Sequence, residues 1–266
     1  MDTTIGYLAS IFIGISLGLI GGGGSILTVP VLVYLFRIDA MLATVYSLFI
    51  VGFTSTVGAF SSFKKGWVNL KTALIFGLPS VIAVFLTRRY LVPAIPQKIL
   101  TIGRFTIDKS ILLLLLFAVL MIFASVSMIR KKDLTEAASE QKLSIPYHKM
   151  LAQGALVGII TGLVGAGGGF LIIPVLVNLL KLPMKTAVGT SLLIISLNSL
   201  MGFLFSLDGT AIQWQFLSAI TAMAILGVLI GTYFSTKIKA TQLKPAFGWF
   251  VLVMGIYIIL KETLLA

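Results

Sequence analysis

The chain of 266 residues has no cysteine, one histidine (His148) and only eight acidic residues against twenty Lys and Arg. The missing thiols exclude disulfides and thiolate-held metals and say nothing of compartment. Charged residues make up 11% of the sequence, where a soluble domain carries about 25%, and 58% of it is hydrophobic. With a mean hydropathy of +1.11, the chain is expected to be a multi-pass protein of a cell membrane. All eight acids, Asp2, Asp39, Asp108, Asp133, Glu136, Glu140, Asp208 and Glu262, fall outside the apolar runs or at their rims. His148 stands at a run boundary. An intramembrane hydrolase or metal enzyme needs clusters of such residues, so no enzyme activity, metal site or cofactor is expected. The same scarcity leaves no buried carboxylate to relay protons, and it favours anionic or neutral cargo over metal cations.

What the sequence does have is long apolar stretches. They run at about 5–36, 41–63, 71–92, 110–129, 148–180, 184–206, 214–236 and 245–260, four in each half. These consume most of the length and leave little for an extramembrane domain. The net charge of +12 would suggest nucleic acid in a soluble protein. Here the basic residues fall between apolar runs, where they set topology and touch lipid headgroups, so lipids are the expected contact and nucleic acid is not. The N-terminus shows neither a basic n-region nor an Ala-x-Ala site, and no cleaved signal peptide is expected. Trp67, Trp214 and Trp249 stand near the predicted span ends, as an interfacial belt would place them.

One cassette is written twice. Gly18-Leu-Ile-Gly-Gly-Gly-Gly-Ser-Ile-Leu-Thr-Val-Pro30-Val-Leu-Val33 recurs as Gly162-Leu-Val-Gly-Ala-Gly-Gly-Gly-Phe-Leu-Ile-Ile-Pro174-Val-Leu-Val177. The halves align without a gap from Gly14/Gly158 to Gly58/Gly202 at a constant offset of 144 residues. That register pairs Ala43 with Ala187, Ser47 with Ser191, Leu48 with Leu192 and Ser55 with Ser199. An internal duplication follows. Residues 1–129 form the first transmembrane repeat, 130–147 a polar linker without chemistry, and 148–266 the second repeat. Gly14/Gly18, Gly154/Gly158/Gly162 and Gly227/Gly231, each spaced by four, read as close helix contacts.

A continuous helix from Ile5 to Phe36 would be roughly 48 Å long, beyond a hydrocarbon core of about 30 Å. Four successive glycines, each costing about 1 kcal/mol relative to Ala in a helix, predict a break there. The half-helix after the break begins with unpaired N–H groups that cannot stay bare in lipid. Glycine amides at a positive helix end suit an anion, because no side chain blocks its approach. The alternative is that the glycines only permit tight crossings, but four in a row exceeds what packing needs. Neither cassette matches a P-loop or a G-x-G-x-x-G dinucleotide fingerprint. Each is followed by a span rich in hydroxyls, and Ser47/Ser191 and Ser55/Ser199 keep theirs at equivalent positions. The candidate substrate site is therefore Gly22, Gly23, Gly24, Ser25, Ser47, Ser55, Gly167, Gly168, Gly169, Phe170, Ser191 and Asn198.

The pattern G-x-G-G-G-x-x-x-x-P-x-L near the start of each half, with Ala-x-x-x-Ser-Leu downstream at Ala43–Leu48 and Ala187–Leu192, resembles the sulfite exporter TauE/SafE family of membrane permeases. The resemblance covers nearly the whole chain. It implies transport of small sulfur-containing anions such as sulfite or organosulfonates across a bacterial inner membrane. The family's cassette carries over onto Gly21, Gly22, Gly23, Gly24 and Pro30, and onto Gly165, Gly167, Gly168, Gly169 and Pro174. Ser25 departs from the second copy, which has Gly169 at that place.

Two topologies compete. If every run crosses once, the repeats are parallel; if each cassette segment dips in and returns, each repeat crosses three times and the repeats are inverted. The returning arrangement splits the Lys and Arg thirteen to seven, the all-crossing one eleven to nine, so inverted repeats are favoured. The expected fold is thus an all-α polytopic protein of two four-segment repeats, the first segment of each broken at its cassette. The expected mechanism is alternating access at a site between the repeats. A passive anion channel is the alternative within transport, and a non-transporting assembly subunit the alternative outside it. Homo-oligomerisation stays open.

Overall fold

In the computed structural model, residues 2–102, 105–129, 147–178, 180–207, 212–235 and 240–264 are described. Most of the expected linker lies outside them, and Tyr147 already belongs to a helix. Among the described residues the regular structure is helical apart from one antiparallel hairpin, β1 (Lys98–Ile102) and β2 (Phe105–Asp108), with Thr101 opposite Thr106. This hairpin was not expected; it occupies a segment read only as a connection between apolar runs.

The first apolar run does not form one rod. Helix α1 (Asp2–Ile20) ends at Gly21, whose φ of 77° suits a residue without Cβ. The chain then passes through a 3-10 turn (Gly22–Leu27), the short α2 (Thr28–Pro30) and a wide π turn (Val31–Leu35). This arm folds back along α1. Gly24 lies against the backbone of Leu17 and the hydroxyl of Ser16, and the Phe36 ring packs on Gly6 and Tyr7. The second run repeats the manoeuvre: α7 (Tyr147–Val164) breaks at Gly165, Gly168 turns back onto Thr161 and Val157, and α8 (Gly169–Asn178) follows. Both return arms end alike. Arg37 (φ 56°) and Lys181 (φ 51°) adopt the left-handed conformation, letting the N–H of Ile38 bond Leu32 O at 3.1 Å and that of Leu182 bond Leu176 O at 3.1 Å.

Helix α3 (Ala40–Lys64) starts at Asp39, whose carboxylate accepts from the N–H groups of Met41 and Leu42. Asn69 caps α4 (Leu70–Leu86) in the same way through Thr72 N. A π turn (Thr87–Leu91) and α5 (Val92–Ala94) extend α4. The remaining helices are α6 (Lys109–Ile129), α9 (Met184–Leu204), α10 (Trp214–Phe234) and α11 (Ala240–Leu264). Among the described residues five segments are long and apolar enough to cross a membrane: Ala40–Lys64, Leu70–Ala94, Lys109–Val126, Met184–Leu204 and Trp214–Phe234. Trp67 lies in the loop between α3 and α4, Trp214 opens α10, and Trp249 is the tenth residue of α11.

Glycines set the pairings. Along α1 and α10, Gly14 meets Ala224 and Gly227 while Gly18 meets Val228 and Gly231, so the two run parallel. Along α4 and α7, Gly154 meets Phe76, Gly158 meets Ser80, and Gly162 meets Thr87, again parallel. By contrast α3 and α9 run antiparallel, with Gly202 on Leu48, Gly52 on Leu200, Thr56 on Ser196 and Gly58 on Leu192. The pair α6 and α11 is also antiparallel, Gly248 lying on Met128 and Gly255 on Met121. Helices α3 and α9 form the centre, each with 67% of its apolar window buried, compared with 44% or less for α4, α6 and α10. Leu74, Leu78, Phe123 and Leu226 on the outer helices face outward, as lipid-facing side chains do.

Candidate functional site

The two cassettes touch each other. A Cβ placed on Gly22 would collide with Cα of Gly169, and one on Gly169 with Cα of Gly22, so the backbones meet with no side chain between them. Ile195, near the middle of α9, packs on both glycines and on Gly167, while Val51, near the middle of α3, packs on Gly167. Both chain breaks therefore lie in the interior of the bundle. Gly165, Gly167 and Gly168 have φ of 75°, 68° and 67°, a conformation that admits little but glycine. Gly22, Gly24, Ser25 and Gly167 through Phe170 are all buried.

The hydroxyls line the same centre in two matched stripes. Ser47 and Ser55 stand four residues either side of Val51 on α3, and Ser191 and Ser199 four residues either side of Ile195 on α9. Each stripe thus reads hydroxyl, aliphatic contact to a cassette, hydroxyl. Ser47, Ser55 and Ser199 are fully buried and have no hydrogen-bond partner. The Ser199 hydroxyl lies beside Gly167, and that of Thr161, also unpartnered, beside Gly168. Buried polar groups are normally paired, and leaving one unpaired costs about 1–3 kcal/mol, so these hydroxyls lack a partner that the chain itself supplies. Two expected members are engaged within the protein: Ser191 donates to Val188 O at 2.8 Å and Ser25 to Gly22 O at 2.7 Å. Asn198 donates from Nδ2 to Ser80 Oγ at 2.7 Å while its Oδ1 stays free. Thr161 and Ser80 were not singled out from the sequence; Ser199 was, as the register partner of Ser55, but it stood outside the candidate set.

The sequence also concealed Arg88. It sits in the π turn that extends α4 and is 6% exposed. Its Nη1 donates to Thr44 Oγ1 at 3.1 Å, while Nε and Nη2 have no acceptor. A Cβ on Gly165 would come within 2.8 Å of Nη2, so the guanidinium lies directly on the second cassette. Lys109, also buried, is within electrostatic range of it. Arg88 and Arg89 lie inside the run at 71–92, and charge counting assigned both to a membrane face. The signal available was their position before the end of an apolar stretch.

A hollow of about 340 Å³ opens at one end of the bundle, lined by Phe36, Arg37, Asp39, Tyr46, Gln213 and Phe216. Tyr46 accepts from the Gln213 N–H there at 2.8 Å. Among the described residues no three His, Asp or Glu gather into a metal-binding group. The arrangement offers backbone amides, hydroxyls and a guanidinium, a donor set suited to an anion.

Comparisons with known proteins agree on one class. The family model described as sulfite exporter TauE/SafE matches residues 7–258. A "Probable membrane transporter protein" of Xylella fastidiosa (strain 9a5c) is 30% identical over 254 residues, covering 94% of this chain and 92% of that protein. The "Probable membrane transporter protein YdhB" of Bacillus subtilis is 26% identical, covering 90% of this chain and 93% of its own length. A protein of the same description from Methanocaldococcus jannaschii is 25% identical, with 95% and 94% covered. No solved structure matches the chain.

Proposed function

Because the chain belongs to the sulfite exporter TauE/SafE family, and so is a multi-pass membrane transporter, we propose that its cargo is a small sulfur-containing oxyanion, sulfite or an organosulfonate. The cargo binds where the two cassettes meet, between two inverted repeats, and is released to either side by alternating access. The observation that carries this reading is the direct contact of Gly22 with Gly169 beside buried hydroxyls that have no partner. Amides of Gly22–Ser25 and Gly167–Phe170 supply donors along the cassettes, with Ser47, Ser55 and the second Nδ2 hydrogen of Asn198 completing the shell; Ser191 and the Gly24 amide join it by giving up Val188 O and Gly21 O.

Inversion of the repeats is supported by direction. Equivalent helices α3 and α9 pack antiparallel, as do α6 and α11, whereas parallel repeats would align them. It is supported as well by the cross-pairing of α1 with α10 and α4 with α7, which exchange under the 144-residue offset. Burial of the cassettes supports an occluded site that opens when one half rocks against the other. Such a site also weighs against a permanently open anion channel.

The test is flux in proteoliposomes of purified protein with sulfite and methanesulfonate. The expected result is saturable uptake, abolished by Gly168→Leu, whose side chain would be driven into Thr161, while membrane insertion persists. Linear, non-saturating flux would favour a channel, and unaltered transport by Gly168→Leu would remove the cassette from the site.

A further inference from the structure

We propose that the Arg88 guanidinium is the cationic subsite for the transported anion, and that it selects oxyanions able to offer two oxygens to one fork. Of its three nitrogens, Nη1 is held by Thr44. Nε and Nη2 form the open side edge, both buried and both without an acceptor. Two parallel N–H donors on that edge match two oxygens of a single sulfite or sulfonate group, the bidentate geometry that makes Arg the residue of choice for such anions. A halide can meet the edge at one point only.

A purely structural role is opposed by the other half of the molecule. Under the 144-residue offset, Gly21, Val188 and Thr232 take the places of Gly165, Thr44 and Arg88. Gly21 packs on Val188 there, as Gly165 packs on Thr44, and Gly18 packs on the Thr232 backbone, as Gly162 packs on Thr87 one residue before Arg88. The same helix contacts therefore form without a cation, so packing does not require Arg88. An unpaired charge buried in protein is costly, and no carboxylate among the described residues compensates it. Lys109 adds positive potential instead of neutralising it. Gly165 contributes by having no side chain, which leaves the guanidinium and the cassette backbone adjoining.

This subsite rests on the reading that the cargo is an oxyanion, and the experiment separates the two. Purified full-length protein in detergent is titrated with sulfite, methanesulfonate and chloride at constant ionic strength, by calorimetry and melting temperature, and the same preparations are reconstituted for flux. Wild type is expected to bind both oxyanions in preference to chloride. Arg88→Lys keeps the charge but loses the fork and should bind at least tenfold more weakly; Arg88→Gln should show no oxyanion-dependent rise in melting temperature. Thr44→Val, which copies the residue at the equivalent place in the other half, should fold normally and lose affinity several-fold. Unchanged affinity in the Arg88 variants, or in Thr44→Val should those variants not fold, overturns the subsite, and so does wild type binding neither oxyanion or binding chloride equally well. Arg88-dependent binding without any flux of sulfur oxyanions would leave the subsite standing and remove the cargo assignment. Flux indifferent to Arg88 would do the reverse.

Discussion

At Gly22 and Gly169 a single methyl group has nowhere to go, because the opposing atom is backbone and cannot rotate away. Gly22→Ala should therefore separate the cassettes and destabilise the protein by about 1–3 kcal/mol, the usual cost of overpacking. The expected readout is a lower melting temperature in detergent together with lost transport. The unpartnered hydroxyls behave in the opposite sense. Ser55→Ala removes a buried donor that nothing in the protein satisfies. Melting of the ligand-free protein should rise or hold steady while methanesulfonate affinity falls; a fall in both would mean that the hydroxyl has a structural partner. Duplication made this residue legible in the sequence, since Ser55 and Ser199 share a register. Arg88 escaped because only one repeat carries it, so no comparison of the halves could single it out, and its neighbour Arg89 made the pair look like an ordinary boundary.

At the scale of elements, the returning arm follows from arithmetic on length and from the glycines: a run of that size cannot be one span, and consecutive glycines release the chain. The way the arms close was not legible. A π turn follows Pro30, which cannot donate a backbone hydrogen bond, and a left-handed Arg37 ends the arm, features of backbone geometry that leave no residue pattern behind. The β1–β2 hairpin was missed for a related reason, since short strands between hydrophobic runs carry too few residues for an alternating signal. The glycine stripes, by contrast, do what their spacing announced. Gly158→Leu would force a side chain onto the carbonyl of Ser80 in α4. It should sharply reduce the yield of monodisperse protein, whereas Gly66→Leu, at an open turn, should affect yield less despite its positive φ.

For the whole molecule, the direction of each helix is the most discriminating observable. The chain has no native cysteine, so single thiols can be introduced without background. Cysteines at positions 38 and 182 should be labelled by an impermeant reagent from opposite faces of the membrane; labelling from the same face would contradict inverted repeats. Paired cysteines at Thr56 and Ser196, whose hydroxyls are 2.6 Å apart, should cross-link on oxidation. If the halves move against one another during the cycle, that bond should arrest transport until a reductant is added. Charge counting pointed to this topology before any packing was known, although it counted Arg88, which is buried, as a residue of a membrane face.

Although the glycine motif is present twice, its copies press against each other, so they would form opposite walls of the one site proposed. Equilibrium titration should accordingly count a single sulfonate per polypeptide, and loss of either wall should silence the protein instead of halving its capacity.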